Sequence, residues 1–561
     1  MLLRQSPAGP FRALTEAFLG RFFENEITTG IDDLKGAFFW MLAALAMPGL
    51  FLPWMMSFDW HLIGMFRGPE ALREASQDAK VFYLGLAMIA SGVLTLTAWS
   101  SLLPDRRDTL ILGTLPVAPA TIVGARLTAL AVYLLLVAVA MHALAAVCFG
   151  LMLAVESTGL FAVRGIVAHF AAASAAGASV ALCVTAAQGA ALALAGPRFF
   201  RPMSTVLHAG LAGLMALGLA SILVITFSVV HTVRGYGGNL QPWILFTPPV
   251  WFLGLYECIL GTSNPVLLGL ARNAILLLAV ALAVTLVSYP IAYRRLMVSS
   301  VDHGGASSHG IGSTLRGLMI RTAGRDPEVR GAADFYVATI TRVERHRFVM
   351  AIALGLAVAW VLGGWTAIEP SSRPAAAWLS LPLSSMMFLL AGFRIAASLP
   401  GDVRAGWLFD LKEPSRAQAR QAMERVMILL AVVPPALLSA GVYWSLWGRD
   451  VALIHAAVSL VVGTTIVELL IWERDRIPCG HRWNPGSANL GYRLPIYLGV
   501  FLVVTVWIPR LEVFVLSNAY AAAFISLLIA VAAAVRYASA SHVIVPAEDT
   551  VDAVAGVLRL D

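Results

Sequence analysis

Apolar segments of about twenty residues recur along the whole chain and are separated by polar connections. A helix of that length crosses the roughly 30 Å hydrocarbon core of a bilayer, so each segment predicts a transmembrane helix. The pattern predicts an all-α polytopic membrane protein with about twelve spans, at residues 37–57, 81–103, 127–154, 165–196, 207–230, 266–293, 348–366, 377–398, 427–447, 452–472, 494–508 and 513–535.

Basic residues in the connections indicate how the predicted helices are oriented. With the amino terminus inside, the cytoplasmic connections hold 29 Lys and Arg residues and the outer connections hold 8. Short cytoplasmic loops of membrane proteins carry an excess of Lys and Arg. Both termini are therefore predicted to face the cytoplasm.

The composition agrees with a membrane protein and excludes large soluble domains and a nucleic-acid-binding protein. Of the 561 residues, 59% are hydrophobic and 13% are charged, about half the charged fraction of a soluble domain. The net charge of +7 comes from basic residues in short loops, so it reports membrane orientation and not nucleic-acid binding. Four scattered cysteines predict neither a disulfide framework nor a metal site.

The longest polar stretch, residues 294–347, divides the predicted spans into two blocks of six. It opens with the Ser/Gly-rich segment Ser299–Ser313 and is predicted to be a flexible cytoplasmic linker. Either duplication of a six-span unit or chance accounts for the equal blocks. The predicted organisation is an interfacial segment 1–36, a first block 37–293, the linker 294–347, a second block 348–535 and a cytoplasmic tail 536–561.

An amphipathic helix is predicted before the first span. Its apolar residues recur at helical spacing, at Phe11, Leu14, Phe18 and Phe22. Such a helix lies flat on the cytoplasmic surface. It serves either as an elbow that transmits movement to the first span or as an anchor.

A charged cytoplasmic loop follows the second span of each block, and each loop begins with Leu-Pro. In the first loop, acidic residues are suited to cap a short helix that carries adjacent apolar side chains. We expect these side chains to contact a partner protein, with packing on the chain's own spans as the alternative. The candidate docking residues are Asp105, Arg106, Arg107, Asp108, Leu110 and Ile111 in the first loop, and Arg404, Trp407, Phe409 and Lys412 in the second.

Four charged residues are predicted inside the membrane, where a charge is costly and marks a candidate functional residue. Arg394 and Glu468 lie at matching depth near the cytoplasmic ends of two spans and are predicted to pair. Arg272 is similarly predicted to meet Glu257. Structural pairing and contact with a substrate are the two roles that stay open for these residues.

These segments resemble the membrane permeases of type-2 ABC exporters. Members of that family have a surface helix before the first span, a short coupling helix between spans 2 and 3, and a partly re-entrant segment before span 6. The matching segments are Phe11–Glu26, Pro104–Asp108 followed by Leu115–Val117, and the proline-interrupted stretch Gly235–Gly261. The second block departs from the pattern, because only Pro509–Glu512 is predicted to separate its last two spans.

The resemblance implies an exporter of the bacterial cytoplasmic membrane whose ATP is hydrolysed by separate ATPase subunits. It implies no cofactor in this chain, and it leaves pairing of two copies open. The sequence tests one part of this, since a Walker A site needs a lysine followed by Ser or Thr. Lys35, Lys80 and Lys412 are the three lysines, and none is followed by either residue. We therefore predict no ATPase site and no catalytic residue here.

Two other functions stay open. A secondary transporter with six plus six spans has a similar layout, but Glu468 is the one acidic residue predicted within spans 7–12 to serve ion coupling. A membrane transferase needs acids or a metal site in an interfacial loop. The loop Asp59–Lys80 offers acids without ligand spacing. The pattern predicts no particular substrate.

Overall fold

The computed structural model is helical throughout the part of the chain that it describes. The described residues are 9–23, 47, 66, 69–103, 111, 116–154, 159–234, 242–299, 317, 326–367, 373–399, 401, 416–472, 478–480, 497, 499–518 and 520–541. Every regular element among them is a helix, and the long apolar helices make the chain an integral membrane protein. The chain divides into two compact units, Met1–Ser308 and His309–Asp561.

Within the described residues, nine helices are long and apolar enough to cross a membrane. They are Ser76–Thr97, Pro119–Leu151, Ala162–Pro197, Pro265–Leu296, Arg345–Trp365, Ala376–Ser398, Ala417–Trp447, Arg449–Ile471 and Gly499–Ser517. The shorter apolar helices Met203–Leu219 and Ala522–Ala538 coincide with two more predicted spans, and the predicted span at 37–57 lies outside the described residues. The all-α membrane class is confirmed, whereas the count of twelve spans stays a prediction.

Unit 1 is built around two long helices that pack against each other, α2 and α5. Its described α-helices are α1 (Pro10–Phe23), α2 (Pro69–Thr97), α3 (Trp99–Leu102), α4 (Pro119–Ala154), α5 (Gly159–Arg234), α6 (Pro248–Ile259) and α7 (Pro265–Ser299), with a 3₁₀ helix at Pro242–Phe246.

Helix α5 contains two predicted spans that are joined by a bend. At the bend, Gly196 has φ 73° and ψ 168°. A side chain would strain this conformation, which only glycine adopts readily. The chain therefore changes direction at one residue instead of through a loop.

Helix α6 is a short buried helix inside the segment predicted to be re-entrant. Pro248 lies at its start, and at its end the Thr262 amide donates to the Glu257 carbonyl oxygen at 3.0 Å. Gly261, at φ 89°, turns the chain towards α7. At Gly254 a Cβ atom would come within 2.5 Å of the Leu267 carbonyl oxygen, so glycine allows α6 and α7 to approach closely.

The amino-terminal helix α1 packs on α4 as part of the unit 1 core. Phe18 and Phe22 are buried, and the Phe22 ring stacks on Tyr133 with centroids 5.7 Å apart. The Arg126 guanidinium lies 4.7 Å from the centroid of the Phe18 ring. Phe11, at the start of the predicted apolar face, is exposed.

Unit 2 has a core formed from helices that include α8, α10 and α13. Its described α-helices are α8 (Pro327–Arg342), α9 (Glu344–Ala367), α10 (Ala376–Ser398), α11 (Arg416–Met427), α12 (Val433–Trp447), α13 (Arg449–Ile471), α14 (Ile508–Ser517) and α15 (Ala521–Ser541).

Part of the segment predicted to be a flexible linker is helix α8. Asp326 caps its first turn by accepting a hydrogen bond from the Glu328 amide at 2.9 Å. Tyr336 is fully buried and donates to the Phe393 carbonyl oxygen at 2.6 Å. Residues 327–342 are therefore a packed helix, because their apolar residues share one face and find a partner in α10.

The last predicted pair of spans has different boundaries in the structure. Residues 509–512, predicted to be a turn, lie inside α14, and the chain turns at Asn518 instead. The amides of Asn518 and Tyr520 both donate to the Val515 carbonyl oxygen there. Glu512 consequently lies in the candidate span Gly499–Ser517.

Two helices of unit 2 contain a π-helical turn just before proline. One turn, Ile428–Val432, precedes Pro434 near the start of α12. The other, Val503–Trp507, precedes Pro509 near the start of α14. Such turns interrupt the regular hydrogen-bond ladder and are common at functional sites.

Candidate functional site

A buried ion pair joins α2 to the short helix α6 in unit 1. Lys80 Nζ donates to Glu257 Oε1 at 2.6 Å, and both side chains have no exposed surface. The ammonium group also lies 4.7 Å from the centroid of the Tyr256 ring. A buried pair of this kind offsets the cost of removing two charges from water only when its partners stay together.

Residue Lys80 was predicted to end an outer loop. Helix α2 begins at Pro69, and the candidate span Ser76–Thr97 includes Lys80, so the loop assignment is wrong for residues 76–80. The polar residues before position 80 hide the start of this span from a hydropathy window, which places the span at 81–103. The partner predicted for Glu257, Arg272, is exposed on α7, while the observed partner is Lys80.

An aromatic and histidine cluster surrounds His169 beside this ion pair. The His169 ring stacks on Phe149 at 4.5 Å, and it lies 5.0 Å from Tyr83, 5.8 Å from Tyr256 and 6.4 Å from His142 between centroids. Neither ring nitrogen of His169 has a hydrogen-bond partner within the described part of the chain. The cluster thus holds polar groups at a place where unmet hydrogen bonds are costly.

The second buried cluster lies between α13 and α14 in unit 2. His455 Nδ1 lies 3.0 Å and 3.1 Å from the two carboxylate oxygens of Glu512, and its Nε2 lies 3.2 Å from Ser459 Oγ. The three side chains are buried, and those of His455 and Glu512 have no exposed surface. The Tyr443 ring meets the His455 ring edge-on at 5.1 Å.

A third group of charges lies near the last turn of α13. Glu468 accepts from Arg420 Nη2 at 2.5 Å and lies 3.8 Å from Arg536 Nε. Arg394, predicted to pair with Glu468, donates to Ser398 Oγ at 2.9 Å. Glu468 therefore belongs to a network that links α13 to α11 and α15.

Most of the predicted docking residues lie outside the described residues. Ile111 is the exception; it is helical and 61% exposed. The residues outside the described part are Asp105, Arg106, Arg107, Asp108, Leu110, Arg404, Trp407, Phe409 and Lys412.

Lys80, His455 and Glu512 are buried side chains that carry a charge or titrate, and they lie in candidate membrane spans. Among the described residues, no group of three or more His, Cys, Asp or Glu side chains is arranged to hold a metal ion. Sequence reasoning missed Lys80, His455 and Glu512 as site residues. The signal for Lys80 was its rarity, and the signal for His455 was its position on the apolar face of a span.

Comparison of the chain with protein-family models, with curated proteins and with solved structures gives no match.

Proposed function

We propose that the chain is the membrane-spanning subunit of an ATP-driven exporter in a bacterial cytoplasmic membrane, with both termini in the cytoplasm. Separate ATPase subunits bind its loops at 104–126 and 399–426, and their cycle of ATP binding and hydrolysis changes the access of a pathway through the helices. The chain contributes no covalent chemistry.

The observation that carries the proposal is the folding back of α6 onto α7. Helix α6 has 12 residues, which gives a length of about 18 Å, too short for a hydrocarbon core of roughly 30 Å. It is nevertheless buried among apolar residues of unit 1. A short helix that enters and returns is what the resemblance to type-2 exporters implies for this segment.

The lysine positions also support an external ATPase. None of the three lysines in the sequence is followed by Ser or Thr, so no Walker A loop is available to bind nucleotide phosphates. A partner subunit must then bind and hydrolyse the ATP that drives transport.

Copurification from native membranes tests the proposal. We expect a tagged chain to retain a soluble ATPase, and the complex in vesicles to hydrolyse ATP. The variant Leu110→Asp with Ile111→Asp should reduce the retained ATPase at least ten-fold, because two charges replace the apolar contact. Trp407→Asp with Phe409→Asp should act in the same way at the second loop.

Phe199→Asp is the matched control. It replaces an apolar side chain by a charged one at a position that is 72% exposed and lies outside both loops. Recovery of the chain without any ATPase, or full ATPase binding by both double variants, would contradict the proposal.

A secondary transporter remains the second candidate, and Glu512 favours it. This buried carboxylate lies in a candidate span, whereas the sequence had offered Glu468 alone. Vesicles that contain only this chain distinguish the two candidates. Cargo movement on an ion gradient without ATP would select the secondary transporter, and movement that requires the ATPase subunit and ATP would select the exporter.

A further inference from the structure

Among the described residues of unit 2, one histidine contacts buried side chains through both of its ring nitrogens. This residue is His455. Glu512 meets Nδ1 of His455, and Ser459 meets Nε2. Residues 455 and 459 are one helical turn apart on α13, so they share a face. Glu512 comes from α14, and the site therefore joins two helices.

The short distances require a proton between His455 and Glu512. Two acceptors 3.0 Å apart repel each other, so either the carboxyl group or Nδ1 carries the proton that bonds them. The site is neutral with this single shared proton when Nε2–H donates to Ser459 Oγ, whereas it carries one negative charge when the Ser459 hydroxyl donates to Nε2. Burial of the site favours the neutral form. Loss of the proton would leave one negative charge, and gain of a second would leave one positive charge.

Either net charge would be unfavourable in a site with no exposed surface, because an uncompensated buried charge is costly. The shared proton is therefore retained while the helices are closed around it. Exchange requires that α13 and α14 separate enough for water or another polar group to reach the carboxylate.

The helices around the site contain π-helical turns followed by proline, which are features at which helices commonly bend. Glu512 lies three residues after Pro509, which follows the π-helical turn Val503–Trp507. Tyr443, which contacts the His455 ring, belongs to α12, and that helix also begins after a π-helical turn. A small rotation at these turns would move Glu512 relative to His455 without unfolding either helix.

Tyr443 is the titratable group that faces His455 from a neighbouring helix. Its hydroxyl group donates to the Trp378 carbonyl oxygen at 2.5 Å. Further charged or titratable side chains described on α10 to α15 are Arg394, Arg420, Glu424, Arg425, Arg449, Asp450, Glu468, Arg510, Arg536 and Tyr537.

An apolar cavity of about 400 Å³ lies along the turns of α13 that follow Ser459. It is lined by α13, by the helix that leads into α14 and by α15, with Val462, Thr465, Val503 and Leu528 among its walls.

We infer that His455, Glu512 and Ser459 form a proton-binding site, and that unit 2 takes up and releases this proton as α14 moves against α13. The proton moves to Glu512 from solvent on one side of the membrane and leaves Glu512 to solvent on the other side, and no covalent bond other than those to hydrogen changes. The inference requires only that the chain spans a membrane. It therefore holds both for an exporter driven by ATP and for a transporter driven by an ion gradient.

Proton uptake by vesicles that contain the purified full chain tests the inference. With a potassium diffusion potential as the driving force and a pH-sensitive dye inside, we expect uptake by the wild-type chain. His455→Gln and Glu512→Gln should each reduce the rate at least ten-fold. His346→Gln is the matched control, since His346 is an equally buried histidine of unit 2 outside the site, and it should keep the wild-type rate.

A double variant, His455→Leu with Glu512→Leu, keeps the test valid if the single variants fold poorly. Replacing both members of a buried pair by apolar residues is often neutral or stabilising. We expect this variant to fold and to lose proton uptake. No uptake by the wild-type chain, or wild-type uptake by the folded double variant, would overturn the inference. Loss of ATPase binding would leave these outcomes unchanged, so the two proposals fail separately.

Discussion

Lys80 Nζ lies 2.6 Å from Glu257 Oε1, and neither side chain has any exposed surface. The two residues are 177 positions apart in the sequence. Their contact holds the short helix α6 against α2 by charge as well as by apolar packing.

We predict that removing one member of this pair destabilises unit 1 more than removing both. Lys80→Met removes the ammonium group beside the buried Glu257 carboxylate, which costs roughly 3–5 kcal/mol. Lys80→Met with Glu257→Leu should recover most of this loss, because both charges of the pair are removed. Unfolding of the wild type, Lys80→Met, Glu257→Leu and the double variant in detergent measures this double-mutant cycle. Single variants within about 1 kcal/mol of the wild type would show that the pair contributes little.

A second prediction concerns the close contact between α6 and α7. Gly254→Ala should lower the stability of unit 1 by about 1–3 kcal/mol, because the added Cβ atom meets α7 backbone atoms that have little freedom to move. Gly269→Ala, on α7, is the control because nothing lies within 4 Å of its added Cβ atom. Thermal unfolding of the two variants measures the difference. Equal unfolding temperatures would refute the packing role of Gly254.

A third prediction concerns the attachment of α1. Phe22→Ala removes a buried ring that stacks on Tyr133, a change that costs roughly 3–5 kcal/mol at a fully buried site. We expect α1 to detach and limited proteolysis near residues 10–23 to accelerate. Phe11→Ala makes the same change at an exposed position and should leave the cleavage rate close to that of the wild type.

The cap of α8 predicts that the stability of this helix depends on pH. The hydrogen bond from the Gln418 side chain, followed by the one from the Glu328 amide, lowers the pKa of Asp326 below its ordinary value. A carboxylate with a lowered folded pKa stabilises the fold above its unfolded pKa of about 3.9, and this contribution is lost as the pH falls through the folded pKa.

Asp326→Asn should keep a capping oxygen but remove this acid-dependent part of the stability. Asp326→Ala should lower the unfolding temperature at neutral pH as well. Unfolding of α8, followed by hydrogen exchange between pH 2 and pH 7 in steps of about one unit, would measure both effects. A wild-type pH profile in Asp326→Asn would exclude Asp326 as its source.

The sequence was sufficient to predict the class of the fold, because recurring twenty-residue apolar segments are rare outside membrane-spanning helices. It was less informative at the edges of spans. Lys80 was placed in a loop because the first turns of α2 are polar, and Glu512 was placed in a turn because Pro509 and Arg510 precede it. In both cases helix packing continued the helix past residues that a hydropathy window reads as its end.

The candidate site was harder to predict than the fold. The contacts Lys80–Glu257 and His455–Glu512 join residues on different helices, and their distance in the sequence carries no information on which face each helix presents. The pattern did select Glu257 and Glu468, which are both buried carboxylates. It did not identify the lysine, arginine and histidine residues that pair with the buried acids.

The one-residue bend at Gly196 has a mechanical consequence. Each arm of α5 holds α2 at a different level, through the ring contact between His169 and Tyr83 and through the contact of His208 with the Leu96 carbonyl oxygen. A change in the Gly196 dihedral angles would move one arm relative to the other, and it would therefore have to break one of these two contacts with α2.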